Sequence, residues 1–166
     1  MSIWPQDIED AARAIVADFE KKNLLIATAE SCTAGLIAGA ITEIPGSSTV
    51  FDRGFVTYSN EAKREMIGVA NATLKAHGAV SRETALEMAE GAIGNSGANI
   101  SVAVTGIAGP GGGSDEKPVG LVHLAAARTG RKPLHREMRY GDIGRSAVRL
   151  ATVRTALEML VEISAD

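Results

Sequence analysis

Three stretches of this sequence carry residue types that could do chemistry. The first is Ala27-Thr28-Ala29-Glu30-Ser31-Cys32-Thr33-Ala34-Gly35, which passes from an apolar run into small, helix-compatible residues. A hydroxyl at such a strand-to-helix turn is exposed at the strand's carboxyl end. The first helical N–H groups beside it can face a developing oxyanion or a bound phosphate. Ser31 is then a nucleophile, or Ser31 and Thr33 merely cap the helix. Ala34, Gly35 and Ala38 favour close backbone approach, which a plain cap does not require. Cys32 also has two readings, a rival nucleophile or a small buried hydrophobe, and its type favours the second.

The second stretch is Gly54-Phe55-Val56-Thr57-Tyr58-Ser59-Asn60-Glu61-Ala62-Lys63, with Tyr58 at a strand end and Lys63 in the first turn of a helix. Parallel sheets place ligands outside the carboxyl ends of their strands, so this end should face the same cleft as Ser31. A lysine near a helix N-terminus sits on the wrong side of the dipole. With partial burial its pKa falls toward the neutral base form, whereas on the surface it is an ordinary solvated charge.

The third stretch, Thr105-Gly106-Ile107-Ala108-Gly109-Pro110-Gly111-Gly112-Gly113-Ser114-Asp115-Glu116-Lys117-Pro118, is glycine-rich. A strand rather than a helix follows it, so it is not a dinucleotide fingerprint, and no Gly-Lys-Ser/Thr makes it a Walker loop. Loops this long in compact domains are usually functional or mobile, and backbone N–H groups here could cradle a phosphate. Arg145, just after Gly141-Asp142-Ile143-Gly144, opens the last helix as an anion-binding guanidinium or as a surface partner of Asp142. Metal chemistry is poorly supported: His77, His123 and His135 show no ligand spacing, and there is one cysteine. No histidine lies near Ser31, which argues against a Ser-His-Asp triad.

The elements that must position these residues follow from periodicity. Ile8, Ala11, Ala12, Ile15, Val16 and Phe19 recur at helical spacing after Pro5. Leu24–Ala29 reads as a buried strand, Thr33–Ile41 as a helix and Val50–Tyr58 as a second strand. Ser59 or Asn60 caps a helix to about Ile67, and Ser81 caps another carrying Ala85, Met88, Ala89 and Ala92. Ile100–Thr105 is a third strand, and Val119–Ala127 with Leu134–Tyr140 form a hairpin. A final helix spans Gly144–Ile163. Strands separated by helices imply parallel pairing, and the hairpin implies an antiparallel edge. The expected fold is therefore α/β, a single domain over residues 1–166, with a mixed, mostly parallel sheet flanked by helices and ending in a β-hairpin and helix.

Composition bounds the function. Hydrophobic residues make up 45% and aromatics only 4%, so the core must be built from Ala, Val, Ile and Leu. A net charge of −3 without a long basic run argues against nucleic acid. The single Cys32 excludes an internal disulfide and suits a reducing compartment. The first residues lack a signal-peptide pattern, and no apolar run reaches the roughly 18 residues of a membrane span. A cytoplasmic protein without membrane contact is expected.

Together with Pro45-Gly46-Ser47-Ser48, Gly78-Ala79-Val80-Ser81 and Glu116-Lys117-Pro118-Val119-Gly120, these segments resemble the CinA C-terminal domain, the nicotinamide-nucleotide amidase family, over nearly the whole chain. The resemblance implies deamidation of nicotinamide mononucleotide to nicotinate mononucleotide by a Ser/Lys pair, with no cofactor and no metal. Ser31 would attack, Lys63 would take its proton, and Tyr58 would orient or relay it. Cys32, Thr33, Thr105, Gly106, Gly109 and Arg145 would surround the substrate. Ser48 is the rival nucleophile, since the resemblance also marks Gly46-Ser47-Ser48. It precedes Tyr58 by ten residues, roughly 30 Å if extended, unless the chain bends or subunits of a homo-oligomer share the site. The sequence departs from the family pattern at Ala34, where relatives carry glycine, and in the spacing between Gly141-Asp142 and Arg145. Two other classes stay open: a nucleotide-binding module without catalysis, and a competence-associated interaction protein. Ammonia release separates them from an amidase.

Overall fold

The computed structural model describes residues 2–166; Met1 lies outside them. These residues form six α-helices and five strands. Helix α1 (Gln6–Lys22) leads into β1 (Ile26–Glu30), α2 (Leu36–Thr42) and β2 (Phe51–Val56). Helices α3 (Asn60–Ile67), α4 (Asn71–His77) and α5 (Arg82–Gly94) follow, then β3 (Ile100–Gly106), β4 (Leu121–Arg128), β5 (Leu134–Arg139) and α6 (Arg145–Ser164). The strands form one open mixed sheet in the order β2-β1-β3-β4-β5. Strand β1 runs parallel to both β2 and β3, while β4 pairs antiparallel with β3 and with β5. The carboxyl ends of β1, β2 and β3 thus open on one edge, as the α/β reading requires.

Each face of the sheet is covered by helices. On one face α1, α2 and α6 bury Ile8, Ile15, Phe19, Ile37 and Leu157 against Ile26, Val102, Val104 and Leu124. On the other, the sheet presents Ala27, Ala29, Ala103 and Ala125, and the small side chains let α5 approach with Ala85, Met88 and Ala89. Gly91 continues that close approach: a Cβ there would stand 2.0 Å from the Ile67 carbonyl oxygen, so α3 and α5 meet backbone to backbone. No helix among the described residues is long and apolar enough to cross a membrane.

Two departures from the sequence reading concern the site. Helix α2 starts at Leu36, three residues later than expected, because Ala34 (φ 47°) and Gly35 (φ 98°) are left-handed and hold the chain in a turn. The short helix α4 was not anticipated; it begins without a side-chain cap hydrogen bond and buries only Leu74. Of the two caps considered for α3, Ser59 fills the role, its hydroxyl accepting from the Ala62 N–H at 3.0 Å.

Candidate active site

Parallel pairing brings the ends of β1 and β2 together. The register runs Glu30 opposite Val56, and the Thr57 N–H donates to the Glu30 carbonyl at 2.9 Å, carrying the alignment past the last strand residue. Beyond it the chain turns through Ser59 into α3, which directs Lys63 back under the strand ends. Lys63 is 1% exposed, an unusual burial for a lysine. Its Nζ lies 3.0 Å from Ser31 Oγ, 2.7 Å from the Thr57 carbonyl oxygen and 3.3 Å from the Tyr58 carbonyl oxygen. No carboxylate is among these neighbours. Burial therefore acts unopposed by a paired anion and pushes the ammonium down from an ordinary 10.5 to about 8.

The geometry suits a proton acceptor. An ammonium can spend its three N–H bonds on three oxygens. A neutral amine keeps two, which the Thr57 and Tyr58 carbonyls can accept, and its lone pair is then free to face the Ser31 hydroxyl proton. Neither Ser31 nor Thr33 caps α2. The N-terminus of that helix is satisfied by Glu30, whose carboxylate accepts from the Ile37 N–H (2.8 Å), the Ala38 N–H (3.0 Å) and the Thr33 hydroxyl (2.7 Å). The helical N–H groups expected to face an oxyanion are thus taken. Free ones lie one turn earlier: among the described residues, the Cys32 and Thr33 N–H groups donate to no carbonyl or side-chain oxygen.

Ser31, Cys32, Tyr58, Lys63, Thr105, Gly106 and Arg145 line a single cleft of about 220 Å³, closed on another side by Ala79 and Val80. Of the residues expected around the substrate, Thr33 and Gly109 do not line it, and the side chains at and beside the cleft differ in freedom. Burial pushes the Cys32 thiol up to about 11, so it is a protonated small hydrophobe rather than a thiolate. The Thr33 hydroxyl is committed to Glu30, and the Thr105 hydroxyl donates to the Ala79 carbonyl at 2.8 Å. Thr105 thus holds the Gly78–Ser81 segment at the cleft wall. Tyr58, 61% exposed as a residue, meets Lys63 through its backbone, and its phenol oxygen lies 3.4 Å from Arg145 Nη2. Among the described residues no hydrogen bond joins that phenol to Lys63 or Ser31. Arg145 also donates from Nη1 to the Gly109 carbonyl at 2.9 Å, linking the start of α6 to the glycine-rich loop; it makes no pair with Asp142 among the described residues.

Ser48 stands apart. It lies exposed in the 3-10 turn Ser47–Thr49 just before β2, at the opposite edge of the sheet from Ser31, so one chain does not unite it with Lys63. The histidines do not serve the serine either. Strand pairing sets His123 Nδ1 and His135 Nε2 3.0 Å apart, a contact that sequence spacing concealed, and neither touches Ser31. No group of three or more His, Cys, Asp or Glu among the described residues is arranged to hold a metal ion. Sequence reasoning missed Glu30 and Arg149. The second donates from Nε to the Cys32 carbonyl (3.0 Å) and from Nη2 to the Thr33 carbonyl (3.2 Å). A buried acid at a strand end is a readable signal for the first; only the tertiary structure reveals the second.

Comparison with known proteins gives a consistent result. The sequence profile of the CinA C-terminal domain matches residues 8–164. The crystal structure of the competence/damage inducible protein CihA from Agrobacterium tumefaciens superposes with a TM-score of 0.98 at 65% identity, covering 99% of this chain and 100% of that one. A CinA superfamily protein from Escherichia coli gives 0.90 at 33% identity, covering 98% and 94%. A CinA-like protein of Akkermansia muciniphila is 49% identical over 150 residues, 90% of this chain and 36% of the relative. The chain spans about a third of the length of the curated relatives it matches.

Proposed function

The chain belongs to the CinA C-terminal domain family, and on that premise we propose that it is an amidohydrolase that releases ammonia from nicotinamide mononucleotide through an acyl-enzyme on Ser31. The observation that carries this reading is the buried Lys63 amine 3.0 Å from the Ser31 hydroxyl, with its pKa pushed down to about 8. A serine beside a base of that strength is an activated nucleophile.

Ser31 Oγ attacks the carboxamide carbon while its proton passes to neutral Lys63. The Oγ–C bond forms and the carbonyl oxygen takes up negative charge, to which the free Cys32 and Thr33 N–H groups donate hydrogen bonds. Fixed donors of this kind supply on the order of 3 kcal/mol each in serine hydrolases. Collapse breaks the C–N bond, and Lys63 returns the proton so that the nitrogen leaves as ammonia. Water then repeats the sequence on the ester, restoring Ser31 and yielding nicotinate mononucleotide.

The cleft of about 220 Å³ is smaller than the roughly 300–1,000 Å³ of typical small-molecule sites. It suits the reacting amide and its ring against Gly106 at the end of β3, with ribose and phosphate outside, over Arg145 and the loop carrying Gly109. Arg145 supplies the charge for a phosphate. Tyr58, exposed beside it, gives the ring an aromatic wall. Cys32 contributes its N–H and small bulk. The test is ammonia release from nicotinamide mononucleotide by the full chain, with nicotinate mononucleotide formed in equal amount. Binding without release would leave a nucleotide-binding module instead.

A further inference from the structure

Arg149 reaches the Ser31 turn from α6, 116 and 117 residues away in sequence from the two carbonyls it holds. It is half-buried one helical turn beyond Arg145. The arginines of this helix differ in employment. Arg154 pairs with Asp7 at the surface, whereas the acceptors of Arg149 among the described residues are only the Cys32 and Thr33 carbonyls.

The carbonyl and N–H of one trans peptide point in opposite directions. The Cys32 carbonyl and the Thr33 N–H share a peptide, so holding the carbonyl against Arg149 turns that N–H away from the guanidinium. The Ser31 carbonyl and the Cys32 N–H share the preceding peptide, and the Ala34 N–H fixes that carbonyl at 3.1 Å. The Ala34 N–H in turn shares its peptide with the Thr33 carbonyl, the second acceptor of Arg149. The Thr33 carbonyl also accepts from the Leu36 N–H at 3.1 Å, so Arg149 orients the Thr33 N–H directly and the Cys32 N–H together with the start of α2.

We propose that Arg149 is a positioning residue that sets the Cys32 and Thr33 peptide planes and so pre-forms the oxyanion-binding pair for Ser31. This rests on the amidohydrolase reading above. A guanidinium presents its donors in a planar, fixed fork that holds two successive carbonyls in one geometry, while the three donors of an ammonium rotate on a flexible stem. Donors fixed in advance need no reorganisation as charge develops, so their benefit falls on the transition state.

The experiment compares wild type with Arg149→Gln, Arg149→Lys and, as a control on the same helix, Arg154→Gln. Arg149→Gln should lower kcat for ammonia release from nicotinamide mononucleotide about 10- to 100-fold with KM changed less than about twofold. Arg149→Lys should recover part of the loss, and Arg154→Gln should match wild type. In ¹⁵N–¹H spectra, the Cys32 and Thr33 amides should shift in Arg149→Gln while those of β4 and β5 stay in place. A raised KM with kcat preserved would make Arg149 a substrate contact and overturn the proposal. So would unshifted Cys32 and Thr33 amides in a folded variant. If Arg149→Gln does not fold, Arg149→Lys decides by the same amides and the same kcat-to-KM split. A wild-type protein that releases no ammonia would defeat the functional reading instead, and the amide shifts would still decide for or against the positioning.

Discussion

The turn after β1 and the loop after β3 leave neighbouring parallel strands at the same edge of the sheet, both rich in small residues, yet they are held in opposite ways. In the turn, nearly every polar group is committed. Glu30 gathers the Thr33 hydroxyl and the α2 N–H groups, Ala34 closes on the Ser31 carbonyl, and Arg149 takes the next two carbonyls. The loop is tied near its ends, by the Ile107 N–H to the Leu121 carbonyl and the Gly120 N–H to the Ile107 carbonyl. Between them Arg145 holds Gly109, Lys117 holds the His77 carbonyl, and residues 110–116 are exposed. A reaction needs atoms placed to fractions of an ångström, which only the first arrangement offers; a ligand's variable parts are better met by the second.

That contrast can be broken most sharply at the turn. Ser31→Ala and Lys63→Ala should each reduce turnover on the order of 10⁴-fold or more, and the double variant should be little worse, because nucleophile and base act as one unit. Ser48→Ala should keep turnover near wild type. Ammonia release, with circular dichroism to confirm folding, checks all four; substantial turnover in Ser31→Ala with loss in Ser48→Ala would move the nucleophile to a site shared between subunits.

The next effect is on pH. Lys63 must be neutral to accept a proton, so kcat/KM should be flat above about 8 and fall about tenfold per unit below it. Stability runs in the same direction. The folded amine titrates near 8 and the unfolded one near 10.5, so between those values the unfolded chain binds the extra proton and raising the pH stabilises the fold. Below 8 the burial cost is constant. Lys63→Met should therefore melt higher than wild type at pH 7, and the gap should narrow as pH rises from 8 to 10.5, measured by thermal unfolding.

At the loop side the expected change is smaller and of a different kind. Arg145→Ala should raise KM for the mononucleotide about tenfold with kcat changed little, since a contact remote from the amide supplies uniform binding. A fall in kcat alone would place Arg145 in the transition state and remove the division of labour between the two regions.

The smallest effect returns to the turn. Ala34 sits at φ 47°, where an L-residue pays roughly 1 kcal/mol or more. Ala34→Gly should relieve that strain against about 0.5 kcal/mol of added chain entropy in the unfolded state. A rise of one to a few degrees in Tm is the expected balance, and a fall would show that the turn is unstrained.

Much of this arrangement was legible in the residues. Periodicity located the long helices and the five strands, and the parallel reading of β1 and β2 was enough to bring Lys63 toward Ser31. Local pattern failed where a long-range partner decides the outcome. The α2 start slipped because glycine and alanine at 34–35 look helix-compatible until φ is known. Glu30 reads as a charge at a strand end, not as a cap for a helix that begins six residues later. Arg149 cannot be assigned to the turn without the packing of α6 on that face. Ser48 shows the converse: its motif stands out in the sequence, and within the chain it meets none of the groups that would activate it. The resemblance gives Tyr58 a part in moving the Ser31 proton, whereas here its backbone meets Lys63 and its phenol meets Arg145, a division that sequence does not show.

The acid that closes α2 also bears on how a turnover would end. A helix N-terminus is a ready seat for an anion, and here Glu30 occupies it from within the protein. Under the proposed reaction the amide that enters is uncharged, whereas the acid that remains is an anion, formed next to a seat already filled and with a like charge behind it. The α2 N-terminus thus offers the product carboxylate no seat, and its hold would fall to the Cys32 and Thr33 N–H groups and to Lys63, weakening as the pH rises past about 8 and the amine loses its charge.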